Sequence, residues 1–312
     1  MEFIRGLHNI RARHRGCVAT IGNFDGVHRG HQAIISQLQV KAEQLGLPSL
    51  VMLFEPQPRE FFAPDQAPSR LTTAREKCEL LRAYGVDRVL LIRFNRAFCS
   101  QSARTFCEDV LLNGLGVRHL VVGDDFRFGS DRAGDFAFLE AFGKDNGFSV
   151  EDTETLAVEG VRVSSTRVRD ALAAGDFAEA ERLLGRPYGI SGRVVHGDKI
   201  GRTIGVPTAN VLLKRIRSPL HGVYAVSVEG VANHLLPAVA NVGDRPTVGG
   251  KELRLETHIF DFDQNIYGQR VHVLFHQHLR DEQKFSGIDE LKQKIQQDFA
   301  VAREYFVQRE PE

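Results

Sequence analysis

Ile21-Gly22-Asn23-Phe24-Asp25-Gly26-Val27-His28-Arg29-Gly30-His31 is the stretch around which this chain is organised. Cys17–Ile21 before it is a short, mostly apolar run with the character of a buried parallel strand. After it, Ile34, Ile35, Leu38 and Leu45 recur at roughly helical spacing. The stretch therefore reads as a glycine-rich strand-to-helix turn with two histidines at its helical end. Its glycines admit backbone conformations closed to other residues and let a ligand approach the main chain. The helix that opens there offers unmatched N–H groups and the positive end of its dipole to an anion. His28 and His31 at such a place can donate to phosphate oxygens, more strongly when protonated. The plain alternative is a tight turn with two solvent-facing histidines. The joint agreement of spacing, strand and helix favours the phosphate-binding reading.

The rest of the chain sets bounds. Its 312 residues suffice for one large or two ordinary domains with proper cores. A hydrophobic content of 42% and a charged content of 26% are those of a globular protein in water. Forty basic and forty acidic residues cancel, so no broad electrostatic footprint argues for nucleic acid or for membrane lipid. No uncharged apolar run approaches the roughly 20 residues that span a bilayer, and Arg5 to Arg15 lead into no signal-peptide core. Cys17, Cys78, Cys99 and Cys107 form no Cys-x-x-Cys pair, which suits free thiols in a reducing compartment better than zinc or disulfides. A cytoplasmic enzyme is expected.

In the first half, Pro48–Phe54, Val89–Ile92 and Leu120–Gly123 read as further buried strands. They alternate with helical patterns near 31–46, 75–84 and 102–113, which predicts an α/β domain with a parallel sheet covered on both faces. Ligands of such a sheet sit at the carboxyl ends of its strands, where the histidine loop and Gly123–Gly129 lie. A helical pattern runs from Val163-Ser164-Ser165-Thr166 through Leu184, and Gly185-Arg186-Pro187 stops it. The domain boundary is placed there, giving 1–186 and 187–312. Beyond it, short alternating runs with glycine-rich turns predict an antiparallel β-barrel of six strands. A closing α-helix from Asp289 carries Leu291, Ile295, Phe299, Ala302 and Phe306 down one face.

Two stretches of this second half carry chemistry on their own terms. Thr208 and Asn210 in Val206-Pro207-Thr208-Ala209-Asn210 lie two residues apart, hence on one face of an extended chain. Their hard oxygens suit Mg2+ carrying a triphosphate. Glu256 alternates with apolar Leu255, so it faces away from the packed side, toward a loop or a lumen. A carboxylate so placed can accept the proton of an attacking alcohol; the plain alternative is an exposed glutamate on a strand.

With these residues on the page, the chain resembles the bacterial bifunctional riboflavin kinase/FAD synthetase family. In the first half the resemblance rests on Gly22–His31, on Gly123-Asp124-Asp125-Phe126-Arg127-Phe128-Gly129 and on Ser164-Ser165-Thr166-Arg167-Val168-Arg169. In the second half it rests on Gly201-Arg202-Thr203-Ile204-Gly205-Val206-Pro207-Thr208-Ala209-Asn210, on Asn241–Thr247 and on Leu255–Ile259. The resemblance implies a Rossmann-like nucleotidyltransferase domain that adenylylates FMN to FAD, releasing pyrophosphate, and a barrel that phosphorylates riboflavin to FMN. ATP is the implied co-substrate and Mg2+ the implied metal.

The resemblance also implies roles. His28 and His31 act on the α- and β-phosphates. Gly22, Asn23, Asp25, Gly30, Ser164, Ser165, Thr166 and Arg169 hold ATP in the first domain. Asp125, Phe126 and Phe128 wall the flavin there. In the barrel, Gly197, Lys199, Gly201 and Gly205 hold ATP, Arg245 faces the flavin, and Thr208 and Asn210 hold the metal. Glu256 is the general base for the ribityl 5′-hydroxyl. Gln57 stands where some relatives carry His. The alternatives are an enzyme with one working site, a flavin carrier without turnover, and another His-x-Gly-His transferase.

Overall fold

The structure is a computed structural model that describes residues 1–308 except 124, 125, 131, 154–156, 159, 160, 198–204, 248 and 249. For 157, 158, 245–247, 250 and 251 it describes the backbone alone. The chain divides into two compact units, one of Met1–Pro68 with Ala74–Ser164 and one of Ser69–Thr73 with Ser165–Glu312.

The first unit is built on six strands, β1 (Glu2–Arg5), β2 (Cys17–Ile21), β3 (Ser49–Glu55), β4 (Arg88–Arg93), β5 (Val117–Val122) and β6 (Ser149–Asp152). All pair in parallel, in the order β1-β4-β3-β2-β5-β6. The alternate residues of each strand divide between two cores. Val18, Val51, Val89 and Val121 join Ile35, Leu38 and Leu81 on one face. Ala19, Met52, Leu90 and Leu120 join Phe106, Val110, Leu139 and Phe142 on the other. A sheet covered on both faces has few polar positions on its inner strands, which is why those strands read as nearly continuous apolar runs.

The helices of this unit are α1 (Arg29–Leu45), α2 (Pro58–Phe62), α3 (Ala74–Ala83), α4 (Arg96–Cys99), α5 (Ala103–Phe106) and α6 (Phe136–Asn146). Residues expected to be one helix over 102–113 are α5 continued as a π-helical stretch, Cys107–Gly114. The strand order reverses between β2 and β5, and a crevice opens at the carboxyl ends of the strands at such a point. The loops that leave β2 and β5 there are the two that the sequence singles out.

The remaining strands are a two-residue hairpin, β7 (Ala157–Val158) and β8 (Val161–Arg162), and the barrel. The barrel comprises β9 (Gly189–Val195), β10 (Ala209–Leu212), β11 (Gly222–Glu229), β12 (Leu236–Thr247), β13 (Gly250–Ile259) and β14 (Arg270–Arg280). It closes in the order β10-β13-β12-β11-β14-β9, with every pairing antiparallel. The helical pattern before it is two helices, α7 (Ser165–Ala173) and α8 (Phe177–Leu184), separated by Gly175 at φ +73°. The closing helix α9 (Ile288–Val307) lies against the outer wall, where Val223, Ala225, Val239 and Phe260 pack on Ala302 with Phe299 and Phe306 alongside.

Candidate active sites

Glu256 faces outward from the barrel wall, under α9, rather than into the lumen. Its strand neighbours Leu255 and Thr257 are buried on the opposite side, at 0% and 2% exposure. Antiparallel register sets Asn210 opposite Glu256, Glu256 opposite Asn241, Asn241 opposite Val223, and Val223 opposite Arg280. Directly opposed residues share a face of the sheet, so this row crosses five strands on one side. All five, with Thr208, line a cavity of ≈ 300 Å³ whose far wall includes Leu291, Ile295 and Phe299 of α9.

Three details shape this cavity. Asn210 is buried, and its amide donates to the Thr208 backbone carbonyl and to Thr208 Oγ1, both at 3.3 Å. Gly197 packs so closely on that amide that a Cβ there would lie 2.7 Å from it. His258 Nδ1 lies 2.8 Å from the Pro207 carbonyl oxygen and its ring stacks on Phe299 at 4.6 Å, tying the Pro-Thr-Ala-Asn segment to α9. Arg280 then fastens α9 to the wall, its Nε and Nη2 donating to the Asp298 carboxylate at 2.8–3.0 Å.

Asn241 Nδ2 donates to Glu282 Oε1 at 3.1 Å, and Glu282 also overlies Gly243, where a Cβ would collide with its carboxylate. Of the other residues expected here, Gly205 holds φ +81°. Arg245 sits on β12 opposite Glu252, and its side chain lies outside the described residues. Lys199 and Gly201 lie outside them altogether. His258, Asn241 and the Arg280–Asp298 pair are site residues that sequence reasoning left unassigned. Asn241 and His258 stood inside quoted motifs, whereas Arg280 and Asp298 had no local signal.

The other candidate site begins at the end of β2. Gly22 N–H extends the ladder to Met52 O at 3.2 Å, and the chain then turns through Phe24 at φ +46°, Gly26 at +83° and Val27 at +41°. A β-branched residue in that region is strained by roughly 1–3 kcal/mol, and such strain gathers at functional turns. Burial of Phe24, Asp25 and Val27 at 2% exposure or less holds the turn in place. His28 is the N-cap of α1, its Nδ1 accepting from His31 N–H at 3.3 Å. A ring that accepts at Nδ1 carries its proton on Nε2 when neutral, so His28 remains a donor through Nε2. The His28 and His31 rings stack at 3.7 Å, and His31 lies 4.8 Å from the Phe24 ring. A Cβ on Gly30 would press on the His28 ring at 3.2 Å and on the Val163 carbonyl at 3.4 Å. Glycine there lets the segment leading to Ser164 lie against the first turn of α1.

Beside this turn is a cavity of ≈ 520 Å³ with Gly22 and Asn23 on its wall. Half of the rest is phenylalanine: Phe54, Phe62, Phe94, Phe98, Phe106, Phe126 and Phe128. Phe126 and Phe128 stack at 5.4 Å, and Phe94 meets Phe54, Phe62 and Phe98 edge-on at 5.6–5.8 Å. A cavity of this size walled largely by aromatic rings suits a planar ring system. The structure thus brings Gly22, Asn23, Phe126 and Phe128 together, and Gly22–Phe24 link them to the histidines. Asp125 lies outside the described residues. Ser164 belongs to this unit, while Ser165, Thr166 and Arg169 belong to the other, on or at the start of α7. Five further phenylalanines of the cavity were unassigned, and their signal was compositional: 21 Phe and no Trp.

Comparison with known proteins covers both sites. The FAD synthetase family model matches residues 10–167 and the riboflavin kinase family model residues 184–306. A bifunctional riboflavin kinase/FMN adenylyltransferase of Pseudomonas fluorescens is 56% identical over 97% of either chain. Its counterpart in Escherichia coli K12 is 53% identical over 98% of either chain. A crystal structure described as a macrolide-efflux protein from Streptococcus pneumoniae shares the fold at TM-score 0.78 and 33% identity, covering 97% of this chain and 99% of that one. Among the described residues here, no helix is long and apolar enough to cross a membrane.

Proposed function

The chain belongs to the bifunctional riboflavin kinase/FMN adenylyltransferase family, and from that premise we propose how its residues divide the work. Its C-terminal region phosphorylates riboflavin to FMN, its N-terminal region adenylylates FMN to FAD, and ATP is co-substrate for both. The functional division is drawn near residue 186, two residues inside the start of the riboflavin kinase match at 184.

In the barrel, Glu256 is the general base. The observation that carries this assignment is its place in the wall row between Asn210 and Asn241, on the cavity that Thr208 also lines. The ribityl 5′-hydroxyl gives its proton to the carboxylate as it attacks the γ-phosphorus of ATP in line, and ADP leaves. General-base assistance of this kind contributes about 10²–10⁴-fold. Thr208 and Asn210 would hold Mg2+: Asn210 Nδ2 lies 3.3 Å from Thr208 Oγ1, and the Thr208 hydroxyl and Asn210 Oδ1 are hard oxygen donors. Among the described residues no group of three or more His, Cys, Asp or Glu is placed to hold a metal ion. When bound, Mg2+ supplies charge neutralisation to the phosphates. Gly197, Lys199, Gly201 and Gly205 shape the ATP loop, and Arg245 faces the flavin.

In the first domain the phenylalanine cavity holds the isoalloxazine ring of FMN. The FMN phosphate attacks the α-phosphorus of ATP and pyrophosphate departs. No side-chain nucleophile is needed, so catalysis is positioning and charge stabilisation. His28 and His31 donate to the α- and β-phosphates, with the N–H groups at the start of α1 behind them. Gly22, Asn23, Asp25 and Gly30 shape that turn, and Asp125 holds polar atoms of the flavin nucleotide. Ser164, Ser165, Thr166 and Arg169 bind the remainder of the triphosphate. The balanced net charge supports small-molecule substrates rather than nucleic acid, and free cysteines support a cytoplasmic location.

A chromatographic product assay with riboflavin, excess ATP and Mg2+ tests the division. Glu256→Gln is expected to lose FMN formation while still converting supplied FMN to FAD. His28→Asn combined with His31→Ala, which keeps a good N-cap residue on α1, is expected to do the converse. Loss of both activities in either variant would contradict it.

A further inference from the structure

Residues Ser69–Thr73 belong to the second unit, although the chain on both sides of them belongs to the first. Four groups of the second unit hold this strap. Arg215, 8% exposed, donates from Nη1 to the Arg70 and Leu71 carbonyls, each at 3.1 Å, and to Tyr188 Oη at 2.9 Å. Tyr188, 3% exposed, donates its own hydroxyl to the Leu71 carbonyl at 3.1 Å. Arg169 Nε donates to the Ser69 carbonyl at 2.5 Å, and the Arg70 N–H reaches the Arg217 carbonyl at 3.2 Å. Guanidinium and phenol donors, buried in Arg215 and Tyr188 and half-buried in Arg169, are spent on three successive carbonyls and fix a backbone segment that has no regular structure of its own.

The strap continues directly from the rim of the phenylalanine cavity. Pro58 and Phe62 of α2 line that cavity, and Phe62 is 64% exposed with its ring edge-on to Phe94. A five-residue helix is too short to be stable alone, so its position rests on its packing, with Glu60 buried and Phe61 and Phe62 edge-on to Phe94, and on what holds its ends. One end continues from β3. The other runs through Pro64, buried Ala67 and Pro68 into the strap, and the two prolines make this a stiff spacer.

We infer that Arg215 and Tyr188, which lie in the riboflavin kinase half, are positioning residues for the FMN adenylyltransferase reaction. They hold the strap, and through it the Pro58–Phe62 rim that closes on FMN. The inference rests on FMN occupying the phenylalanine cavity. It assigns the barrel side of the chain a part in FMN recognition by the other half.

The test is steady-state kinetics of both reactions on the full chain, for Arg215→Met, Tyr188→Phe, Arg215→Lys and, as a control on the cavity, Phe126→Ala. Arg215→Met is expected to raise the KM for FMN in FAD formation about tenfold with a smaller change in kcat, leaving the KM for riboflavin in FMN formation near wild type. Tyr188→Phe should give a smaller rise of the same kind, and Arg215→Lys should restore part of the loss. If Arg215→Met does not fold, Tyr188→Phe decides. An unchanged KM for FMN in folded strap variants while Phe126→Ala raises it would overturn the strap's role. Parallel loss of both reactions with a lowered Tm would also overturn it, leaving the cluster merely structural. An unchanged KM in Phe126→Ala would instead remove the cavity assignment on which the inference stands.

Discussion

Burial pushes the thiols of Cys17 and Cys107 up to about 12 and that of Cys78 up to about 11, so at pH 8 almost none of their thiolate is available. Cys99 differs in placement, being half-buried on the wall of the phenylalanine cavity. Brief treatment of the native protein with iodoacetamide at pH 8, read by peptide mass spectrometry, is expected to label Cys99 and spare Cys17 and Cys107. FMN should slow that labelling, because the bound ring would cover the thiol. Labelling of Cys99 that FMN leaves untouched would place the flavin elsewhere. The residue scale also shows why glycine recurs in the motifs. Gly30 and Gly197 each lie where a side chain would press on a proposed site residue, His28 in one case and Asn210 in the other. These are packing requirements around functional groups, in contrast to the conformational requirement of Gly26.

At the scale of elements, α9 completes the kinase cavity without belonging to the barrel. Its attachment combines apolar packing on the outer wall with the Arg280–Asp298 pair, whose side chains are 13% and 7% exposed. Removing one partner of a largely buried pair leaves the other uncompensated, at a cost of roughly 3 kcal/mol. Asp298→Ala is therefore expected to lower the urea midpoint and weaken riboflavin binding together, whereas a midpoint shift with unchanged binding would separate α9 from the cavity. In the first unit, the edge strand β6 is attached to β5 partly through His119, which is 2% exposed. His119 Nδ1 lies 2.7 Å from Ser149 Oγ and Nε2 lies 3.2 Å from Glu151 Oε2. Burial, with Lys41 nearby, holds its pKa below the usual histidine value despite the opposing pull of Glu151. The unfolded chain then binds the proton more readily, so stability should fall as pH drops below about 6.5. Urea midpoints across that range should fall less steeply in His119→Asn than in wild type.

These elements also mark what the sequence disclosed. Strands buried on both faces, such as β2 and β3, announced themselves as apolar runs, and the barrel strands as alternating ones. β1 and β6 did not, because each is a four-residue edge strand whose polar residues blur the pattern. The break between α7 and α8 was hidden because apolar spacing continues across Gly175. The motif residues were legible as local clusters. The phenylalanine cavity was not, since its seven rings come from the ends of β3 and α2 and from the segments after β4 and β5. Glu256 was correctly turned away from its packed neighbours, but only the closed barrel shows that its side is the outer wall.

On the scale of the whole molecule, the boundary suggested by composition and the boundary drawn by packing differ in an instructive way. A cut at residue 186 keeps Ser69–Leu71 in the first fragment but discards Tyr188, Arg215 and Arg217. Three backbone groups lose these hydrogen bonds, each at a cost of about 1–3 kcal/mol where the group stays buried and finds no other. Fragment 1–186 is expected to be nicked by protease between residues 62 and 74 much faster than the full chain. Equal resistance would mean that the strap finds other partners within the fragment.

The same segment bears on how such a chain could be inherited in pieces. Two catalytic halves joined end to end look free to part, since one crossover between them would yield two reading frames. Ser69–Thr73 makes that separation costly for the first half. A descendant that shed the barrel would also need new donors for the carbonyls it left behind, so the two activities are bound to travel together by five residues that belong to neither site.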